Sequence, residues 1–229
     1  MFILKMSNNF KCRLLLSTIA VIGFFSLYAN TYIRGCTYLQ TTTDSASIEN
    51  EYVTVTKNNT ITANTSVYSY RVIIALTNTI IKSSKGNISL IRGKTAVFSL
   101  KDTFRITEGE YFEVAIKKNH PVPVAPAIWY EPANNNTVLE NDEFRIFEEI
   151  LPPGGVRILH SHLQRVVIRL NNVRLTDPRF HPEGQEGKGI QVPNTAKFAE
   201  PVEHVVKNLG SISLFNIVLE FKAPKVSGK

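Results

Sequence analysis

The chain has 229 residues, of which 43% are hydrophobic and 20% charged, a globular composition that excludes a disordered chain or one embedded throughout in a membrane. The formal net charge of +7 includes three basic residues in the first 30 positions, and the remaining 23 basic and 19 acidic residues are scattered along the chain. A nucleic-acid-binding surface is therefore not indicated.

The N-terminal segment has the pattern of a secretory signal. Lys11 and Arg13 precede an apolar run of about 14 residues, at 14–27, which is shorter than a full membrane span. Ala29 then offers a small residue for cleavage. We therefore predict that residues 1–30 are a signal peptide, with an uncleaved membrane anchor as the alternative. The protein is expected to be periplasmic or secreted, or membrane-anchored if the segment stays attached.

After about residue 38, apolar residues alternate with polar ones, which predicts half-buried strands rather than helices. Pro, Gly and Asn separate these runs and mark turns. Many short strands with such turns predict an all-β sandwich or barrel. The clearest strand patterns lie at residues 70–76, 95–100, 111–116, 165–170 and 214–221.

The sequence contains an internal repeat. Residues 49–53 resemble residues 140–145, and residues 71–78 resemble residues 165–172, at offsets of about 91 and 94. A repeat of roughly 90 residues is too long for a solenoid unit and suits a small β domain. We therefore predict two β domains joined by a linker rich in Pro and Asn. The predicted bounds are 38–119 for the first domain, 120–137 for the linker, 138–223 for the second domain and 224–229 for a C-terminal tail.

Two histidine motifs lie in the second repeat. Gly154 is followed by five residues and then by His160 and His162, and His204 begins a His-x-x-x-Asn sequence. Their order and spacing resemble the two sequence motifs of the cupin superfamily. The resemblance covers residues 140–222 well and the first repeat only through the internal similarity. It implies a double-stranded β-helix (jelly-roll) cupin barrel, with two repeats in a bicupin-like arrangement whose N-terminal repeat is degenerate.

The histidine pair has the spacing of a metal site. A strand places residues i and i+2 on the same face, so the imidazoles of His160 and His162 point the same way. If they point into the barrel, they present nitrogens to one point, and the resemblance makes His204 the candidate third ligand. Neutral imidazoles suit zinc, iron, copper or nickel, and the expected cofactor is a divalent transition metal (Zn, Fe, Mn, Ni or Cu). Gln164 has the same parity and is predicted to line the ligand pocket; a metal-free pocket is the alternative.

The chain departs from the cupin pattern at one point. Cupins of known activity usually carry a glutamate about four residues after the second histidine, where this chain has Val166 and Val167. Three histidines with an open coordination position still support a catalytic zinc. Arg165 and Arg169 alternate with the histidine set along the chain, so they are predicted to face away from the pocket, into solvent.

These features predict an exported cupin-like protein that binds a small polar ligand, with a three-histidine metal centre in its C-terminal barrel. Ser66 and Tyr68 take the places of the two histidines in the first repeat, so that domain is expected to be metal-free and structural. One alternative is a metal-dependent oxygenase, isomerase or lyase, and another is a metal-free structural or partner-binding protein. The catalytic residues of such an enzyme are not identifiable. The resemblance makes a homodimer the expected assembly, with pairing of the two repeats within one chain as the alternative.

Overall fold

The computed structural model describes residues 48–61, 65–125, 128, 130, 135–180 and 190–222. The predicted signal peptide and C-terminal tail lie outside these residues, as does part of the predicted linker. Within the described ranges the regular structure is β-strand apart from a short 3-10 turn at Thr65–Val67. No helix of the described part has the length and apolar character needed to cross a membrane. The predicted all-β fold class is confirmed.

The described part of the first half contains two antiparallel sheets. Its strands are β1 (Ile48–Glu49), β2 (Val53–Lys57), β3 (Tyr68–Ala75), β4 (Thr79–Ser83), β5 (Gly86–Leu90), β6 (Thr95–Ser99), β7 (Phe104–Glu108) and β8 (Tyr111–Lys117). A five-stranded sheet has the order β1-β2-β8-β3-β6, and a three-stranded sheet has the order β5-β4-β7. Neighbouring strands pair in the antiparallel sense throughout.

The described part of the second half also contains a five-stranded and a three-stranded antiparallel sheet. Its strands are β9 (Asn136–Glu140), β10 (Phe144–Leu151), β11 (Val156–His162), β12 (Arg165–Arg169), β13 (Leu175–Thr176), β14 (Thr195–Ala199), β15 (Val202–Asn208) and β16 (Leu214–Phe221). The five-stranded sheet has the order β9-β10-β16-β12-β14, and the three-stranded sheet has the order β11-β15-β13. These strands also pair in the antiparallel sense.

The strand order of the five-stranded sheet repeats between the halves, whereas the three-stranded sheets differ in their central strand. In each five-stranded sheet the first two strands of the half lie at one edge, the last strand at the centre and two middle strands beyond it. The similarity between residues 71–78 and 165–172 aligns β3 with β12, which occupy the same place in their sheets. The repeated strand order agrees with the repeated sequence. The predicted domain bounds themselves stay a prediction.

The two five-stranded sheets share one hydrophobic core. Because side chains alternate across a strand, each sheet turns one set of residues into this core and the other set away from it. Tyr52 packs on Phe221 with ring centroids 5.0 Å apart, and Tyr70 packs edge-on against Phe144 at 5.4 Å. The shared core consists of Tyr52, Val53, Val55, Val72, Ile74, Leu76, Phe112, Val114 and Ile116 from the first half, and of Phe144, Ile146, Val166, Ile168, Leu170, Ile217, Leu219 and Phe221 from the second.

Side chains fill the interior between the two sheets of the first half. Glu113 is fully buried and accepts a hydrogen bond from Arg71 Nε at 2.5 Å, and the Arg71 guanidinium lies 4.3 Å from the ring centre of Phe104. This interior therefore contains an arginine–glutamate ion pair beside an apolar cluster. The buried members of that cluster are Ile73, Ala75, Ile81, Leu90, Ala96, Phe98 and Tyr111.

A buried carboxylate anchors the turn after β13 and gives a pH-dependent prediction. Asp177 accepts hydrogen bonds from the backbone N and Nε of Arg179 at 3.1 Å, from its Nη2 at 2.8 Å and from the Val205 amide at 3.3 Å. Burial opposes ionisation of this carboxyl, but the hydrogen bonds and the charge of Arg179 outweigh burial and lower its pKa from 3.8 to about 2. A carboxyl whose pKa is lower in the folded chain than in the unfolded chain stabilises the fold at pH values above its unfolded-state pKa. That stabilisation is lost as the pH falls through the folded-state pKa.

We expect Asp177→Asn to lower the free energy of unfolding by about 1–3 kcal/mol at pH 7, because the amide leaves buried donors without a matching acceptor. The difference from wild type should shrink as pH falls from about 4 toward 2, where the wild-type carboxyl itself becomes protonated. Urea unfolding of both chains across this pH range measures it. A difference that stays constant with pH would contradict the role of the ionised carboxylate.

Candidate metal centre

A cavity of about 430 Å³ lies in the second half, between the five-stranded and the three-stranded sheet. Both sheets contribute to its wall, and the wall mixes aliphatic side chains with histidine, arginine and amide groups. The lining residues are Glu149, His162, Arg165, Val167, Arg169, Val173, Leu175, Gln191, Lys197, Ala199, His204, Val206, Asn216 and Val218.

Strand pairing brings the three predicted histidines together, and two of them, His162 and His204, line this cavity. β11 and β15 pair so that His160 lies directly opposite His204, and His162 follows two residues later on the same face of β11. The ring centroid of His160 lies 4.9 Å from that of His162 and 4.4 Å from that of His204. One ligand atom from each residue lies within 4.8 Å of the other two. Their role as metal ligands stays a prediction.

The spacing of the three nitrogens is close to that of a coordination site. Three atoms within 4.8 Å of one another surround a point at most about 2.8 Å from each, compared with about 2.0–2.1 Å for a zinc–imidazole bond. Side-chain rotations that move each nitrogen by less than about 1 Å close that difference. The donor set is three imidazoles with no carboxylate, which suits transition metals better than hard, oxygen-preferring cations.

His160 offers a buried nitrogen that needs a partner. Its Nδ1 lies 2.8 Å from the backbone carbonyl oxygen of Ile158, which can only accept, so Nδ1 carries the proton and Nε2 carries the lone pair. Nε2 is buried and has no hydrogen-bond partner among the described residues. Burial lowers the pKa of His160 to about 4, so the imidazole is neutral at pH 7. A neutral, buried and unsatisfied imidazole nitrogen fits a transition metal.

His162 is oriented by a buried carboxylate. Its Nδ1 lies 3.0 Å from Oε1 of Glu220, which also accepts from the Leu163 amide at 2.9 Å, while Arg145 Nε donates to the other carboxylate oxygen at 2.7 Å. Burial alone would raise the pKa of Glu220, but the contacts with His162 and Arg145 lower it overall, so the carboxylate is ionised. Metal-binding histidines in proteins are commonly held in this way through their second nitrogen.

The sequence did not identify Glu220 as part of the site. It lies on β16, 58 residues after His162, and only the pairing of β16 with β10 and β12 brings it there. The available signal is an acidic residue inside the apolar run of 214–221. Such a residue has to find a charged or hydrogen-bonding partner when the strand is buried.

The prediction that Arg165 and Arg169 face solvent is wrong. Both line the cavity, and Arg165 is buried with its Nη1 donating to the carbonyl oxygens of Leu163 and Glu200 at 3.2 and 2.9 Å. The physical reason is that β11 ends at His162 and β12 begins at Arg165 in the other sheet. The chain turns between them, so the alternation of faces does not continue from one strand to the next.

The same turn carries Gln164 away from the position predicted for it. Its Oε1 accepts from the Val124 amide at 3.2 Å, and it does not line the cavity in the described part of the chain. Val167 lines the cavity, whereas Val166 packs in the shared core. The carboxylate that does line the cavity is Glu149 of β10.

Comparison with known proteins identifies the fold. The sequence matches no protein-family profile and no curated protein. Among solved structures, a cupin 2 conserved barrel domain protein from Leptotrichia buccalis superposes with a TM-score of 0.51 at 11% identity, over 78% of this chain and 88% of that chain. A cupin domain from Bordetella pertussis Tohama I gives a TM-score of 0.32 at 22% identity, over 42% of this chain and all of that chain.

A third similar structure is that of the oxalate decarboxylase of Bacillus subtilis, a protein with Mn(II) centres. It gives a TM-score of 0.41 at 10% identity, over 79% of this chain and 76% of that chain. The conclusion about architecture rests on the superposition with the Leptotrichia buccalis protein. The chain has a jelly-roll fold of the cupin type, which confirms the resemblance at the level of the fold.

Proposed function

We propose that this protein binds a small polar ligand in the second-half cavity through a divalent transition metal held by His160, His162 and His204. The observation that supports it is the buried Nε2 of His160, which lacks a hydrogen-bond partner among the described residues, beside two further imidazoles. Leaving a buried acceptor unsatisfied costs about 1–3 kcal/mol. A bound metal would satisfy that nitrogen together with its two neighbours.

Three protein ligands leave coordination positions for a ligand from solution. A zinc, iron, manganese, nickel or copper ion bound there would act as a Lewis acid toward an oxygen atom of that ligand. The chain's own residues would orient the ion: the Ile158 carbonyl fixes the proton on His160 Nδ1, and Glu220 does the same for His162. The valine at position 167 contributes an apolar surface to the cavity instead of a fourth ligand.

Export is part of the proposal and rests on the N-terminal sequence. The basic residues, the short apolar run and Ala29 form the pattern of a secretory signal. N-terminal sequencing of the mature protein from its native host tests this, and we expect a chain that begins soon after Ala29. A native chain that still begins at Met1 and stays in the soluble cytoplasmic fraction would contradict export.

Metal titration of the full chain tests the proposed site. The chain is prepared without a histidine tag, stripped with EDTA and titrated with Zn²⁺, Mn²⁺ or Ni²⁺, with Ca²⁺ as the control. We expect one equivalent of at least one transition metal per chain and a higher melting temperature in its presence, because ligands that bind only the folded state stabilise it. Weak binding of all these ions, indistinguishable from that of Ca²⁺, would overturn the proposal.

Glu220→Gln is expected to weaken metal binding by about 10–100-fold, because a neutral amide holds the His162 proton less strongly than a carboxylate. The substitution preserves side-chain shape, so the fold should survive. Competition with a chromophoric chelator measures the affinity. Glu140→Gln, which changes an exposed carboxylate bound to Lys222, is the matched control and should leave the affinity unchanged. Equal affinities of wild type and Glu220→Gln would contradict the orienting role.

A further inference from the structure

The cavity wall carries two cations whose charge is not balanced within the described part of the chain. Arg169 and Lys197 both line the cavity, and neither forms an ion pair with a described carboxylate. The Nε of Arg169 is buried and has no hydrogen-bond partner among the described residues. Arg169 is half-buried, so its unpaired charge loses part of its hydration at a cost, whereas Lys197 is exposed and stays in contact with water.

Sheet register places these cations on one face of the five-stranded sheet. Arg165, Val167 and Arg169 are alternate residues of β12, and Lys197 of β14 lies directly opposite Val167. The side chain of Lys197 therefore shares the face of the two arginines. The three histidines lie on β11 and β15 of the other sheet. A ligand in the cavity would meet imidazoles on one side and cations on the other.

The acidic residues nearby are already bonded to other groups. Glu149 accepts from Arg157 Nη1 at 3.3 Å and from Asn216 Nδ2 at 2.8 Å, and Glu220 is bonded to His162 and Arg145. The Arg165 guanidinium is bonded to backbone carbonyls, which accept its protons but do not neutralise its charge. Burial lowers the pKa of Arg169, and no neighbouring carboxylate opposes that effect. The described cavity wall therefore has a surplus of positive charge.

The first half shows that the fold does not need these cations. The repeat aligns Arg165, Val167 and Arg169 of β12 with Arg71, Ile73 and Ala75 of β3. Ala96 lies opposite Ile73 in the first half, as Lys197 lies opposite Val167 in the second. Arg169 and Lys197 therefore occupy positions at which the first half has alanine, and both alanines are part of a packed apolar cluster. The arginine that the two halves share is paired with Glu113 in the first half.

We propose that the ligand of the second-half cavity is a small oxyanion, a molecule with a carboxylate or phosphate group that Arg169 and Lys197 bind. Guanidinium groups bind such groups through two parallel hydrogen bonds, and lysine adds a point charge. The inference specifies the ligand class of the proposed function. It rests on that function for the location of the ligand and on the two unpaired cations for its charge.

The test uses metal-free protein, so that it does not depend on the metal site. The untagged full chain is kept in EDTA, and its binding of succinate, inorganic phosphate and the neutral isostere succinamide is measured by calorimetry and by melting temperature. We expect succinate or phosphate to bind and to raise the melting temperature while succinamide does neither. The anion that binds more tightly distinguishes a carboxylate ligand from a phosphate ligand. Equal behaviour of all three compounds would overturn the inference.

Matched variants locate the binding. Arg169→Gln and Lys197→Gln should each weaken anion binding by about tenfold or more, since each removes a charged donor. Arg105→Gln and Lys82→Gln change exposed cations of the first half and should have no effect. Arg169→Lys keeps the charge but loses the planar guanidinium that makes two parallel hydrogen bonds, so it should bind the anion with intermediate affinity. This variant also serves as the test if Arg169→Gln fails to fold. Wild-type affinity in Arg169→Gln, or in Arg169→Lys if that is the variant that folds, would overturn the assignment.

Metal content separates this inference from the proposed function. Arg169→Gln should still take up one equivalent of transition metal, because none of its atoms belongs to the histidine cluster. Anion binding lost with metal binding intact supports both proposals. Metal binding absent with anion binding present would overturn the metal centre and leave the anion site standing.

Discussion

Replacing His160 and His162 together by alanine is expected to reduce bound transition metal from one equivalent per chain to less than about a tenth of an equivalent, after equilibration at a metal concentration that saturates wild type. Two of three ligands are lost, and the remaining imidazole of His204 binds a metal only as weakly as an isolated histidine would. Elemental analysis of the dialysed full chain measures this. The fold should survive, because removing His160 also removes the cost of its unsatisfied nitrogen, and Glu220 keeps its hydrogen bonds from the Leu163 amide and Arg145 when His162 is removed.

A histidine outside the cluster, His120, provides the control for this result. His120 lies away from the cavity, where its ring packs on Tyr52 and Phe221 with centroids 5.5 and 5.0 Å apart. His120→Gln should therefore retain one equivalent of metal. A double variant with wild-type metal content, or a control that loses as much metal as the double variant, would show that the metal binds somewhere else.

Phe144→Ala is expected to lower the free energy of unfolding by about 3–5 kcal/mol, the usual cost of removing a fully buried phenylalanine. Phe144 is 0% exposed, begins β10 and contacts Tyr70 of the first half across the shared core. The cavity left behind would therefore weaken both halves. Denaturant unfolding measures the loss, and hydrogen exchange reports each half separately. Core amides of β3 and of β16 should lose protection together.

Phe180→Ala is the matched control, since Phe180 is 71% exposed and its removal should change stability by less than about 0.5 kcal/mol. A Phe144→Ala chain in which β16 loses protection while β3 keeps its own would contradict a single cooperative core. In that case the two halves would unfold as separate domains, as the predicted linker implied.

Much of the fold could be predicted because strand periodicity is local. The alternation at 165–170 and 214–221 marks β12 and β16 directly, and the repeat marks their counterparts in the first half. The shared core could not be predicted in the same way. Both Val166 and Val167 are apolar, so their order does not show that one faces the shared core and the other the cavity. That information comes from the packing of one sheet on another.

The candidate site was partly predictable for a similar reason. Spacing within one strand places His160 and His162 on one face, and the resemblance supplied His204. The contact between His162 and Glu220 depends on the pairing of strands far apart in sequence, which no local pattern records. The error about Arg165 and Arg169 came from continuing strand parity through Leu163 and Gln164, where the chain passes from one sheet to the other. A parity argument holds only within one uninterrupted strand.

Anomalous diffraction from crystals of the metal-loaded chain is the decisive test of the three-histidine metal centre, because it places the ion relative to its ligands. We expect a single strong peak at the absorption edge of the bound metal, which for zinc would lie about 2.0–2.1 Å from one nitrogen each of His160, His162 and His204. A peak at any other group, or none at the three imidazoles when the metal is saturating, would contradict it.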